Sequence, residues 1–308
     1  MKLAMIFPGQ GSQAVGMLKG YEGLPGVAQV RAEAAAALGN DFLTLLDEGP
    51  AAQLNLTVNT QPAMVTAGYA AYQAWIGSGG PRPEMVAGHS LGEYTALVAA
   101  GAITFADCLP LVRFRAQAMQ EAVPEGQGAM AAILSLDDEL VRQACAAAGG
   151  EVQAVNFNAP GQVVIAGEKA AVARAIEACK AAGAKRAMPL PVSAPFHSSL
   201  MKPAAARLAE VLQKTNVSKT QITLINNVDV RVEREPAAIR DALARQAASP
   251  VRWVETIRKM VAMGATHIVE CGPGKVLAGM TKRIDPTVQS ITLADRAAIE
   301  QALQGIKP

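Results

Sequence analysis

A serine in the run Gly88-His89-Ser90-Leu91-Gly92 is the first residue of this sequence equipped to make and break a covalent bond. The run fits G-x-S-x-G, and its setting matters more than the match: Met85-Val86-Ala87 reads as a buried strand and Leu91 to Ala100 as a helix. That strand-turn-helix is what a nucleophile elbow requires, with glycines where a β-carbon would collide and the serine hydroxyl lifted over the sheet edge. The start of the helix aims free amides and a positive dipole end at the same spot, so the Leu91 amide is the first candidate oxyanion donor. The plainer reading is that Ser90 only caps the helix, for which serine is a favoured residue.

A serine hydroxyl attacks poorly unless a base takes its proton. The chain has 3 histidines. His89 adjoins the serine on a sharp turn and should point away from it, and His267 sits in a strand-like run where a packed histidine is the ordinary expectation. His197 lies in Ser193-Ala194-Pro195-Phe196-His197-Ser198-Ser199, a loop before a helix, and loops at such positions often carry function. Glu121, Asp137, Glu139, Glu151 and Glu177 lie between Ser90 and His197, but none falls at the end of a core strand. A Ser-His pair with a backbone carbonyl orienting the imidazole therefore fits better than a full triad.

On the helix read from Phe105 to Ala122, Arg115 falls in the middle of an apolar stripe of Cys108, Leu111, Val112, Met119 and Ala122, while Arg113 falls on the far side. A guanidinium facing inward needs a partner, because an unpaired buried charge costs several kcal/mol or more. Position alone leaves two readings open: an ion pair within the fold, or a clamp for a substrate carboxylate. The first loop, Phe7-Pro8-Gly9-Gln10-Gly11-Ser12-Gln13-Ala14, matches G-x-G-x-x-A. A dinucleotide site also needs an acid about 20 residues on at a strand end. Glu33 instead sits in an Ala-rich helical run, so the loop is read as a source of a second oxyanion donor, the Gln10 amide.

The elements that position these residues alternate. Leu3 to Phe7, Met85 to Ala87, Thr223 to Ile225, His267 to Glu270 and Ser290 to Leu293 read as strands; Gly26 to Leu38, Gln61 to Trp75, Ala204 to Gln213 and Pro236 to Ala247 read as helices. This predicts an α/β fold with a mostly parallel sheet covered on both faces. One interval breaks the pattern. Ala129 to Leu136, Val152 to Phe157, Gln162 to Ala166 and Lys185 to Leu190 read as strands, with helices at Asp138 to Ala148 and Ala170 to Ala182. That is the βαββαβ order of a ferredoxin-like unit. The expectation is a core of residues 1–125 and 194–308 with a subdomain of residues 126–193 inserted into it and a cleft between the two.

The 308 residues carry a net charge of +2, with 51% hydrophobic and 18% charged residues, which suits a globular protein and gives no basic footprint for nucleic acid. The longest apolar run, Thr95 to Ala106, falls short of the roughly 20 residues of a membrane span. Leu3 to Phe7 is too short for a signal-peptide core. The expectation is a cytoplasmic protein without a membrane partner. The 4 cysteines are widely separated and form no C-x-x-C, which argues against structural zinc and a disulfide framework.

Taken together, these segments resemble the malonyl-CoA:acyl carrier protein transacylases of fatty-acid synthesis. Phe7 to Gln13 is similar to that family's first loop, Gly88-His89-Ser90-Leu91-Gly92-Glu93-Tyr94 to its serine elbow and Val192 to Met201 to its histidine loop. Ser249-Pro250-Val251-Arg252-Trp253 and Glu270-Cys271-Gly272-Pro273-Gly274-Lys275 resemble two later signatures, so the likeness runs along the whole chain. The resemblance implies an α/β-hydrolase-like core with a ferredoxin-like insert. It implies Ser90 as nucleophile, His197 as base and Gln246 orienting His197 through its main-chain carbonyl. It further implies Arg115 as the holder of the malonyl carboxylate, Gln10 and Leu91 as the oxyanion hole, and Phe196 as a residue selecting malonyl over bulkier branched donors. Malonyl-CoA and an acyl carrier protein would be the partners, with no cofactor beyond the coenzyme A thioester and no metal. A serine hydrolase sharing the elbow, and a carrier-binding scaffold without chemistry, are the rival readings.

Overall fold

The run Leu-Ala-Met-Ile-Phe offers no polar side chain to either face, which suits a strand covered on both sides. In the computed structural model it is β1 (Leu3–Phe7), buried at every position. The structure describes residues 1–192 and 194–306. The other strands are β2 (Met85–Gly88), β3 (Gly128–Leu134), β4 (Val152–Ala159), β5 (Gln162–Glu168), β6 (Arg186–Pro189), β7 (Thr223–Ile225), β8 (Val232–Glu233), β9 (His267–Glu270) and β10 (Gln289–Thr292).

The larger sheet runs β10-β9-β1-β2-β7-β8. Its first five strands are parallel, and β8 closes one edge antiparallel to β7. β1, β7 and β9 have the limits read from the sequence; β8, only two residues long, was not expected. The carboxyl ends of β1, β2 and β7 lie side by side, where an open parallel sheet binds its ligands.

The smaller sheet runs β4-β5-β3-β6 and is antiparallel throughout. With the helices Asp138–Ala148 and Lys169–Ala181 it has the βαββαβ order expected. β3 stops at Leu134 rather than Leu136, because Ser135 turns out of the strand at φ 62°. Ser193, expected to close the inserted unit, lies outside the described residues.

The two sheets meet at a seam. β4 breaks register between Ala154 and Asn156, and there Val251 of the larger unit donates its amide to the Val155 carbonyl at 2.8 Å and accepts from the Phe157 amide at 3.0 Å. Such a bulge bends the strand and redirects the side chains beside it. All four cysteines are free and buried. Among the described residues, no helix is long and apolar enough to cross a membrane and no cluster of His, Cys, Asp or Glu is poised to hold a metal.

Candidate active site

The turn after β2 is tight because it must be. A β-carbon at Gly88 would lie 1.8 Å from the Gly92 carbonyl carbon, and one at Gly92 would lie 2.0 Å from the Phe7 oxygen. Between these glycines Ser90 adopts φ 52°, a left-handed conformation that costs a non-glycine residue roughly 1–2 kcal/mol. The helix Gly92–Ala99 follows at once, so Ser90 stands at its amino end, above the sheet. The Leu91 and Gln10 amides have no backbone carbonyl partner among the described residues, as amides awaiting an oxyanion require.

His197 is brought to the serine from the loop after the inserted unit, itself at φ 65°. Its Nε2 lies 2.6 Å from Ser90 Oγ, and its Nδ1 lies 2.9 Å from the main-chain carbonyl of Gln246. A carbonyl can only accept, so the proton sits on Nδ1 and the Nε2 lone pair faces the hydroxyl. Burial lowers the His197 pKa to about 3, with the Arg115 charge acting in the same direction. The imidazole is thus neutral and able to take a proton. His89 turns away as expected, its Nε2 2.7 Å from Asn158 Oδ1 and its ring edge-on to Trp253.

Arg115 is buried, and no ion pair among the described residues includes it, which closes one of the two readings left open by its helical position. Its Nη1 donates to Gln61 Oε1 at 2.7 Å, and its Nη2 donates to Gln246 Oε1 at 3.0 Å and to Ser90 Oγ at 3.2 Å. Its Nε has no hydrogen-bond partner among the described residues, and the guanidinium lies 5.4 Å from the Tyr94 ring centroid. Desolvation lowers its pKa, the expected response of a cation held by neutral acceptors.

Three contributors escaped sequence reasoning. Gln61 belongs to the helix Thr57–Gly77, buried around almost its whole circumference, so no face of it stood out. Glu93 is buried one turn past the serine and accepts from the Asn227 amide at 2.9 Å and from Gln246 Nε2 at 3.0 Å. Burial raises its pKa to about 7. Asn227 follows β7 and bonds the Ser90 amide; its place just beyond a strand end was the available signal. Gln246 was expected for its carbonyl alone, yet its side chain also meets Ser90 O, Glu93 and Arg115.

Gln61, Ser90, Arg115 and His197 line a cavity of about 140 Å³ whose apolar walls include Met119, Met130, Val164, Leu190, Val192 and Phe196. A cleft of about 590 Å³ opens beside it, between the Pro8–Gln13 loop, Leu190–Val192 and the first turn of the helix Val276–Ile284. Gln10, His89 and Asn156 border both spaces.

The acyl transferase domain family matches residues 4–300. A malonyl CoA-acyl carrier protein transacylase of Escherichia coli strain K12 is 55% identical over 306 residues, covering 98% of this chain and 99% of that protein. This chain belongs to the malonyl CoA-acyl carrier protein transacylase family. Among solved structures, an acyl-carrier-protein S-malonyltransferase from Burkholderia pseudomallei 1710b superposes on this transacylase-family chain with TM-score 0.97 at 60% identity, covering 99% of this chain and 100% of that one. Another, a malonyl-transacylase in complex with its type II PKS acyl-carrier protein, has TM-score 0.97 at 50% identity, covering 99% of this chain and 100% of that one. The transacylase family thus accounts for the α/β architecture with its second, antiparallel sheet.

Proposed function

We propose that this chain transfers the malonyl group from malonyl-CoA to the pantetheine thiol of an acyl carrier protein, in a two-step exchange through a malonyl ester on Ser90. His197 Nε2 takes the Ser90 proton as Oγ attacks the thioester carbon. The Leu91 and Gln10 amides receive the oxyanion, and its collapse breaks the carbon–sulfur bond. The departing coenzyme A sulfur takes the proton from His197. In the second half the pantetheine thiol gives its proton to His197 and attacks the ester, and Ser90 Oγ regains a proton as it leaves. Atoms balance without a redox group or metal, and the coenzyme A thioester is substrate rather than cofactor.

The observation that carries this reading is one oxygen with two neighbours: Ser90 Oγ lies 2.6 Å from the His197 base and 3.2 Å from the Arg115 guanidinium. A malonyl group has its carboxylate one methylene from the carbon under attack, so a cation at that distance suits it and an uncharged acyl group gains nothing there. A bound carboxylate also offsets the Arg115 charge, part of what holds the His197 pKa down, so the correct donor makes its own base stronger. The apolar walls limit attack by water, and Phe196 narrows the space against branched donors. The adjoining cleft suits the pantetheine arm.

On this reading residues 1–125 and 194–308 form the catalytic core and residues 126–193 the inserted subdomain. The setting would be the cytoplasm, and the product an extender unit for fatty-acid synthesis. Intact-mass measurement after mixing with malonyl-CoA tests it: the protein gains one malonyl, Ser90→Ala gains none, and adding pantetheinylated carrier discharges the adduct onto the carrier. Release of free malonate at equal rates with and without pantetheinylated carrier would instead indicate a hydrolase.

A further inference from the structure

The left-handed backbone at Ser90 needs a restraint, because a non-glycine residue stays in that region only where its surroundings over-determine it. One buried side chain spans the turn. Asn227 Oδ1 accepts from the Ser90 amide at 2.7 Å, and Asn227 Nδ2 donates to the Gly88 carbonyl at 2.8 Å. The amide group of one asparagine thus bridges the backbone on both sides of His89, up to the nucleophile itself.

The same residue is tied to the base. The Asn227 amide and Gln246 Nε2 converge on one oxygen, Glu93 Oε2, at 2.9 and 3.0 Å. Gln246 Nε2 also donates to the Ser90 carbonyl at 2.9 Å, and the Gln246 carbonyl accepts from His197. Outside this cluster, Arg245 clasps Asp229 with two bonds of 3.0 and 2.7 Å, which ties the turn that carries Asn227 to the end of the helix that carries Gln246.

We propose that Asn227 is a positioning residue that holds Ser90 in its strained conformation and, through Glu93 and Gln246, keeps the hydroxyl in register with His197. The inference rests on the reading of Ser90 as nucleophile and adds to it. Asn227 touches neither substrate nor the reacting oxygen; it sets where that oxygen sits. Misplacement of a reacting group by about 1 Å costs on the order of 10²-fold in rate.

The test uses Asn227→Ala, Asn227→Asp and Ser90→Ala, each normalised to its folded fraction by near-ultraviolet circular dichroism, with malonyl transfer to pantetheinylated carrier as the assay. Asn227→Ala should lower kcat by on the order of 10²-fold while KM for malonyl-CoA stays within about threefold of the parent, because geometry rather than binding is lost. Asn227→Asp keeps the acceptor for the Ser90 amide and, once protonated, regains a donor for the Gly88 carbonyl. Its kcat relative to that of the parent at the same pH should therefore climb as pH is lowered from about 8 to 5.5, to a level between those of Asn227→Ala and the parent; the ratio removes the contribution of Glu93, whose pKa of about 7 both proteins share. If Asn227→Ala does not fold, the pH profile of the near-isosteric aspartate decides alone. A parent-like kcat in Asn227→Ala, a rise in KM with kcat unchanged, or an Asn227→Asp profile parallel to the parent's overturns the inference. Ser90→Ala that still takes up malonyl overturns the underlying reading instead, so the two failures are distinguishable.

Discussion

Arg115 and Gln61 meet at 2.7 Å, a guanidinium nitrogen on an amide oxygen, so a buried cation of this fold is held by a neutral partner. With Gln246 and Ser90 as its other acceptors, it has no acidic group among its hydrogen-bond partners, and the Glu93 carboxylate acts on its charge from farther off.

Removing that charge should therefore separate donors by their own charge. Arg115→Ala is expected to reduce kcat/KM for malonyl-CoA by on the order of 10²-fold, in keeping with the 1.5–3 kcal/mol typical of a hydrogen bond to a charged group. Transfer from acetyl-CoA should stay constant or improve. Equal loss for both thioesters, measured side by side, would make Arg115 a structural residue.

The apolar wall of the cavity invites a complementary change. Phe196 lines the cavity beside His197, and Phe196→Ala should raise the kcat/KM of a branched donor such as methylmalonyl-CoA relative to malonyl-CoA by roughly 10-fold, as expected for one methyl group admitted to a pocket. An unchanged ratio in competition assays would show that Phe196 does not set the limit.

Acidity gives a third expectation. With its pKa lowered to about 3, His197 is neutral throughout ordinary assay conditions. In Glu93→Gln, which removes the buried acid with a pKa of about 7, the rate of Ser90 acylation should vary by no more than about twofold between pH 5.5 and 8, with no inflection near the usual histidine value of about 6.5. Rapid-quench acylation across that range reads this directly, and an acidic limb centred near 6.5 would contradict it.

Stability should respond to pH through the buried acid at the end of β9. Burial raises the Glu270 pKa to about 7, so between the unfolded value near 4.5 and 7 the folded chain binds more protons than the unfolded one. Stability from this group is full below that window and is lost as pH rises through 7, by at most about 1.4 kcal/mol per pH unit. Buried His89 and His197, both lowered, act in the opposite sense below about 6.5. The effect of the buried acids thus shows most cleanly from pH 6.5 to 7.5, where Tm should fall with rising pH; Glu93, also raised to about 7, adds a slope of the same sign, so Glu270→Gln should reduce the slope without abolishing it. A slope equal to the parent's would refute the assignment.

The elbow glycines define a fifth outcome. Gly88→Ala would drive a β-carbon into the Gly92 backbone at 1.8 Å, and since neither side is a flexible chain end, destabilisation of roughly 3 kcal/mol or more is expected. A denaturant melt within about 1 kcal/mol of the parent would show that the turn relaxes in a way its packing does not suggest.

What the sequence revealed followed periodicity and local chemistry. β1, β7 and β9 were legible because apolar runs bounded by turn residues leave few alternatives, and the βαββαβ unit because its strand order departs from the alternation around it. The serine and histidine were legible because glycines and a proline-bounded loop mark both. The polar network was not. Glu93 meets Asn227 and Gln246 across separations of 134 and 153 positions, and no spacing rule reaches that far. Gln61 was hidden for another reason: an Ala-rich helix buried nearly all round shows no contrast between its faces.

The concealment of every cysteine has a practical consequence. Burial pushes the Cys108, Cys145, Cys179 and Cys271 thiols upward, leaving none of them a ready thiolate at neutral pH. A disulfide chromogen added to the native protein should therefore meet almost no background from the protein itself. With malonyl-CoA alone, before any carrier thiol is added, the free sulfhydryl it detects would come from the departing donor, so the acylation half can be followed in the cuvette, without radiolabel, as one coenzyme A per protein.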